Sequence, residues 1–252
     1  EGPLPLLLYF HGGGYILGNP EMSAELIERF INTRPCIVVA PDYRKAYTEP
    51  YPAGFNDCYE TMLWANDNAV QLGARADAVM VAGHSAGGGL AAAVTLKARD
   101  TGDVNIAFQM PIYPMIDDEQ PQDAERNIDV PVWNTLTNRI GWQAYLASLE
   151  QSGSAIPTYA AAARNSDYAE FPPTITFVGT LEPFYRETQA YVRSLRDAGI
   201  EVRYAEFEDC FHAFDVIAQG TEIGAVALNF TFDSYAEFYD RVFNQQNLSI
   251  ET

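Results

Sequence analysis

Six short apolar runs recur along the chain, at residues 6–10, 36–40, 78–83, 106–113, 174–179 and 201–207, mostly unbroken by polar residues. A strand with water on one face alternates apolar and polar positions, so an unbroken run suits a strand buried on both faces. Between the runs, residues 22–32, 56–71, 86–99, 185–198 and 234–243 carry apolar side chains at helical intervals. Strands alternating with helices require crossover connections, which predicts a mainly parallel central sheet flanked by helices, the doubly wound α/β class. The rhythm breaks over residues 115–164, where an acidic, proline-punctuated stretch (DDEQPQDAE) leads into VWNTLTNRIGWQAYLASL with helical spacing. That segment reads as a cap-like insertion over the carboxyl edge of the sheet. No repeat, low-complexity tract or linker interrupts the pattern, so residues 1–252 are expected to form a single domain.

Charge narrows the partners. Against 34 Asp and Glu stand only 15 Lys and Arg, a net charge of −19 with no basic cluster, which would repel a phosphate backbone and argues against nucleic acid. Three cysteines, Cys36, Cys58 and Cys210, are widely spaced without a CxxC, a pattern that suits neither a disulfide framework nor a zinc site, and free buried thiols are expected. The run LLLYF near the start falls far short of the roughly 20 apolar residues that cross a bilayer. A soluble cytoplasmic protein with no membrane span is the expectation, with secretion after loss of a leader as the alternative. A homodimer through an edge strand is compatible with such a sheet, and no residue pattern demands one.

The stretch Gly83-His84-Ser85-Ala86-Gly87 lies where the run AVMVA gives way to the small residues GGLAAAV. A helix starting at the carboxyl end of a central parallel strand directs its free N–H groups and positive dipole end at the crevice where ligands bind. A serine exposed at so sharp a turn needs strained backbone angles and glycines two residues to either side. Taken alone, GxSxG would also suit a helix cap and a turn, so its surroundings decide. His11-Gly12-Gly13-Gly14 follows the first run directly. The N–H groups of Gly13 and Gly14, with that of Ala86, can converge on one oxygen as an oxyanion hole.

Three histidines exist. His11 reads as a packing or hydrogen-bonding residue of the glycine loop, and His84 as a side chain aimed away from the Ser85 hydroxyl. His212, in DCFHAFD after the last run, falls at the same sheet edge as Ser85 and is the candidate general base. An imidazole in that role needs a carboxylate to orient it. Glu182, in GTLEPF after the fifth run, ranks ahead of Glu208 and Asp209, whose places just before His212 make a side-on approach to its ring awkward.

HGGG, GHSAG, PDYRKAYTEPYPAGFNDCYE, IYPMID, and FPPTITFVGTLEPFYRE through CFHAFD together resemble the hormone-sensitive-lipase-like branch of the α/β-hydrolases over nearly the whole chain. The resemblance implies a serine esterase of small carboxylic esters with short acyl chains, needing no metal or organic cofactor. It puts the nucleophile on Ser85, the acid on Glu182, the base on His212 and the oxyanion donors on Gly13, Gly14 and Ala86. The chain departs from the family at three points. His84 stands where Asp usually precedes the serine, Glu182 replaces Asp at the acid position, and HGGG comes as early as residue 11 of this sequence. GHSAG is shared with kynurenine-formamidase-like enzymes, so an amidase or arylformamidase is the alternative, and a non-catalytic small-molecule receptor on the same fold a further one. Tyr15, Phe184 and Phe214 are candidates to line the substrate pocket; Trp133 and Trp142 in the insertion divide evenly between pocket and core.

Overall fold

A computed structural model describes residues 2–244; residue 1 and residues 245–252 of the expected domain lie outside the described residues. Six strands, β1 (Leu4–Phe10), β2 (Ile37–Val39), β3 (Ala74–His84), β4 (Ile106–Ile112), β5 (Thr174–Gly179) and β6 (Val202–Phe207), form one sheet in the order β2-β1-β3-β4-β5-β6. Every described pairing is parallel. The chain runs outward from β1 to β2 and returns to β3 on the other side of β1, so the strand order switches between β1 and β3. Crevices open at the carboxyl ends of strands flanking such a switch. Phe10 pairs with Gly83 there, which puts the glycine loop after β1 beside the serine turn after β3.

The helices are α1 (Ala24–Thr33), α2 (Ala53–Asp67), the single turn α3 (Ala69–Leu72), α4 (Ala86–Thr101), α5 (Thr135–Ser152), α6 (Tyr185–Asp197), the single turn α7 (Phe214–Ile217) and α8 (Glu222–Tyr239). Leu6, Leu8 and Phe10 of β1 pack into one core with Met62 of α2 and Leu90 of α4. Leu7 and Tyr9 pack into another with Phe30 of α1 and Phe232, Tyr235 and Phe238 of α8. Successive strand residues face opposite sides, so a strand covered on both faces reads as an unbroken apolar run. Each large side chain taken from water contributes about 1.5–3 kcal/mol, which is what holds the helices to the sheet.

Two elements start well before their expected positions. The last long helix begins at Glu222, not at 234, because GAVALNFTF is rich in β-branched and aromatic residues that favour strands locally. Tertiary burial of Leu228, Thr231, Phe232, Tyr235 and Phe238 at helical spacing overrides that preference, and Thr221 caps the start by accepting the Gly224 N–H at 3.2 Å. Strand β3 starts at Ala74, four residues early, because Ala74 pairs with Leu4 although the polar ARAD stretch carries little strand signal.

Within residues 115–164, helix α5 is the main element. It opens with a reciprocal cap, Asn134 and Thr137 each bonding the other's backbone N–H, and ends at Gly153 in the left-handed region. Gly141 on α5 lies so close to the glycine loop that a Cβ there would sit 2.8 Å from the Gly14 carbonyl oxygen. The segment is tied to α6 by Glu187, whose buried carboxylate accepts the N–H groups of Ile116 (2.8 Å) and Asp117 (3.2 Å) and meets Arg126 at 3.3 Å. Burial pushes the Glu187 carboxyl well up from its ordinary value, with Asp117 adding to the rise. All three cysteines are free and buried, and among the described residues no helix is long and apolar enough to cross a membrane.

Candidate active site

Ser85 ends the turn between β3 and α4 with φ 60° and ψ −120°, a conformation costly for a residue with a side chain. The glycines on either side make it reachable. A Cβ on Gly87 would lie 2.0 Å from the Phe10 carbonyl oxygen, and one on Gly83 2.2 Å from that of Gly87. Ser85 is tied down by its N–H to Ile112 O and by its carbonyl, which accepts from Gly89 and Met115. Ala86 is the first residue of α4, so its N–H belongs to the unpaired first turn of a sixteen-residue helix.

His212 Nε2 lies 2.9 Å from Ser85 Oγ, and its Nδ1 lies 2.5 Å from Glu182 Oε2. With the carboxylate as acceptor, Nδ1 carries the proton and Nε2 offers its lone pair to the serine hydroxyl. Glu182 is itself fixed, its other oxygen accepting the Gly179 N–H at 2.9 Å. All three side chains are buried. The structure thus brings together Ser85, Glu182 and His212 from three separate strand ends. Glu208 and Asp209 are exposed, and the Asp209 N–H donates to Thr180 Oγ1 instead.

The glycine loop passes alongside. Gly12 approaches Ser85 closely enough that a Cβ would be 3.4 Å from the serine Cβ. Gly13, Gly14 and Tyr15 hold φ of 124°, 59° and 65° in succession, which turns the loop sharply. His11 stacks on Tyr43 at 4.2 Å and its Nδ1 donates to the Gly12 carbonyl at 2.7 Å, so it braces the loop from within. Burial lowers its proton affinity, which suits a neutral ring in that place. Trp133 covers the loop from the stretch before α5: a Cβ on Gly14 would meet its indole at 2.1 Å. Trp133 donates to Asn138 (3.3 Å), which in turn donates to Gln120 (2.6 Å), a buried chain that holds the indole in position.

All three proposed pocket residues are buried. Tyr15 stacks on Tyr145 at 4.0 Å and its hydroxyl donates to Met115 O at 2.7 Å, and Phe214 packs against Phe177 and Phe207. Both side chains are pulled inward by apolar burial, which local sequence does not reveal. Phe184 is buried with its ring at 5.0 Å, edge-on, to His212. Trp142 also lies in the core, 5.4 Å from the Tyr15 ring. His84 points away from Ser85 and its Nδ1 pairs with the Tyr9 hydroxyl at 3.0 Å; burial drives its pKa down to about 3, with the neighbouring His212 lowering it further.

Sequence reading passed over Tyr113 and Asp215. Tyr113 holds φ 34°, its ring lies 4.9 Å from His212, and its hydroxyl donates to Asp215 Oδ1 at 2.9 Å. The available signals were a tyrosine before proline at the end of a strand and an aspartate in the otherwise apolar HAFDVI.

A parallel sheet with a strained serine turn after its third strand, a buried imidazole from the last loop and a glycine loop beside them defines an α/β-hydrolase. A family model described as the alpha/beta hydrolase fold matches residues 7–216. The chain is 32% identical over 217 residues to carboxylesterase NlhH of Mycobacterium tuberculosis, an alignment covering 84% of this chain and 66%, just under two thirds, of that protein. It superposes on the crystal structure of esterase LipW from Mycobacterium marinum with a TM-score of 0.87 at 29% identity, over 94% of this chain and 74% of that one. It is also similar to the gibberellin receptor GID1A of Arabidopsis thaliana, 26% identical over 81% of this chain and 61% of the receptor. The chain belongs to the α/β-hydrolase family, in its hormone-sensitive-lipase-like branch.

Proposed function

We propose that the protein hydrolyses small carboxylic esters through an acyl-enzyme on Ser85, with short acyl groups preferred as the family resemblance implies. The observation that carries this reading is the hydrogen-bonded line from Ser85 Oγ through His212 to Glu182. In the first half-reaction Ser85 Oγ attacks the ester carbonyl while His212 Nε2 takes its proton, and the imidazolium so formed is held by Glu182 through Nδ1–H. The negative charge on the former carbonyl oxygen is received by the N–H groups of Gly13, Gly14 and Ala86. His212 returns the proton to the leaving alcohol, and water then repeats the sequence to release the acid.

Hydrolysis of p-nitrophenyl acetate and butyrate, with Ser85→Ala as control, tests the reading: activity lost in the variant supports it, and equal rates in both proteins refute it. The same machinery serves amide cleavage, so a formanilide hydrolysed faster than either ester would reassign the substrate to the amidase alternative. The similarity to a gibberellin receptor supports a ligand-binding reading on this fold. The intact serine, imidazole and carboxylate favour catalysis, because a receptor has no need of a proton relay at its serine.

A further inference from the structure

Asp215 is a buried carboxylate that the hydrolytic scheme does not use. It follows His212 by three residues, in the turn α7, and is 1% exposed. A buried carboxylate without a job is expensive, since removal from water disfavours its charge. Burial raises its pKa to about 6, partly offset by the Tyr113 hydrogen bond and by the proximity of His212. Its donor, Tyr113, is itself held at unusual cost. At φ 34° a residue with a side chain is strained, yet the Tyr113 N–H is fixed on Phe177 O at 3.0 Å, and the ring is directed into the space between His84 and His212. The two rings stand edge to face to His212, Tyr113 at 4.9 Å and 73° and Phe184 at 5.0 Å and 85°. Strain of this kind persists only where the surroundings over-determine it, and it concentrates at functional sites.

We propose that Tyr113 and Asp215 form an auxiliary pair that positions the His212 ring and places a second negative charge beside it. Glu182 bonds the imidazole directly; Asp215 acts without contact, with Tyr113 as the strut that holds it. Within a low-dielectric interior, an anion near the imidazole favours its protonated form, the form it takes when Ser85 gives up its proton. Both are positioning residues. The other titratable groups facing this pair are Tyr9 from β1, His84 from β3 and Glu182 from the loop after β5. The proposal rests on the esterase reading for its catalytic meaning, but its central observable does not.

The test is an NMR titration of the His212 imidazole in the wild type, Asp215→Asn and Tyr113→Phe. The chain has only three histidines, so His212→Gln identifies the resonance. Asn at 215 keeps the acceptor for Tyr113 and removes only the charge. The expected result is that the imidazole resonance of Asp215→Asn moves to its neutral form at lower pH than that of the wild type. Tyr113→Phe leaves the carboxylate without its donor, so it takes up a proton more readily and the midpoint moves the same way. In the active enzyme the acid limb of kcat/KM should follow to lower pH, with KM little changed. Midpoints equal to that of the wild type in both variants overturn the proposal, even if both melt earlier. Loss of Ser85-dependent hydrolysis from the wild type would sink the esterase reading alone, since the titration needs no substrate.

Discussion

Gly14 and Trp133, 119 positions apart, are in contact so close that a methyl group on the glycine would lie 2.1 Å from the indole. The segment that carries Trp133 therefore touches the very loop whose N–H groups are proposed to receive the oxyanion. Gly14→Ala meets two obstacles, the indole and a φ of 59°. Displacing one donor costs about 10²–10³ in kcat, and that is the loss expected for Gly14→Ala in steady-state hydrolysis of p-nitrophenyl butyrate. Adding Trp133→Ala should recover part of the loss by removing the clash, leaving only the backbone strain; no recovery would mean that the indole does not govern the loop.

Glu182 reaches His212 with one methylene more than an aspartate has. Glu182→Asp should withdraw the carboxylate from either the imidazole or the Gly179 N–H and lower kcat by about 10–10², the scale of a misplacement of about 1 Å. Glu182→Gln keeps the length but places no anion opposite Nδ1, and a loss on the order of 10⁴ is expected. Stopped-flow acylation kinetics distinguish the two. A Gln variant as fast as the Asp variant would count against the orienting role.

His84 contributes acid sensitivity. With a folded pKa of about 3 against about 6.5 in the unfolded chain, the unfolded state binds the proton first. The stability linked to a neutral His84 is therefore present above pH 6.5 and lost as pH falls towards 3. By linkage the loss reaches about 3 kcal/mol at pH 4. Urea unfolding at pH 7 and pH 4 should show a smaller pH dependence in His84→Gln, which retains a partner for the Tyr9 hydroxyl. An unchanged difference between the two pH values would remove His84 from the account.

Glu187 fastens the stretch after β4 to α6, beyond the stretch that carries Glu182. Glu187→Ala strips Ile116 and Asp117 of their acceptor and leaves Arg126 with Asp117 as its ion-pair partner. Leaving two backbone N–H groups without an acceptor costs about 1–3 kcal/mol each, so a fall in melting temperature of roughly 4 °C or more is expected by calorimetry. A shift of about one degree would show that the cluster adds little.

Much of the site is legible along the chain. The βα alternation, the glycines flanking Ser85, the HGGG loop, and the separation of Glu182 and His212 into loops after successive strands all follow from local chemistry. A turn that must expose a hydroxyl requires glycine, and a strand covered on both faces requires an apolar run. Such demands act over a few residues and leave their mark in order and spacing. Tyr15 and Phe214 show the limit of that logic, since an aromatic residue beside a motif carries no mark of whether it faces a crevice or the core. The twelve residues before 234 belong to no expected element and are helical, because Leu228, Phe232 and Tyr235 pack into the core with Leu7, Tyr9 and Phe30. The contact of Trp133 with Gly14, the latch at Glu187 and the Tyr113–Asp215 pair belong to the packed molecule alone. Each joins residues more than 60 positions apart, and which distant groups meet is settled by close packing and by the need to partner every buried charge, conditions that no stretch of sequence meets alone.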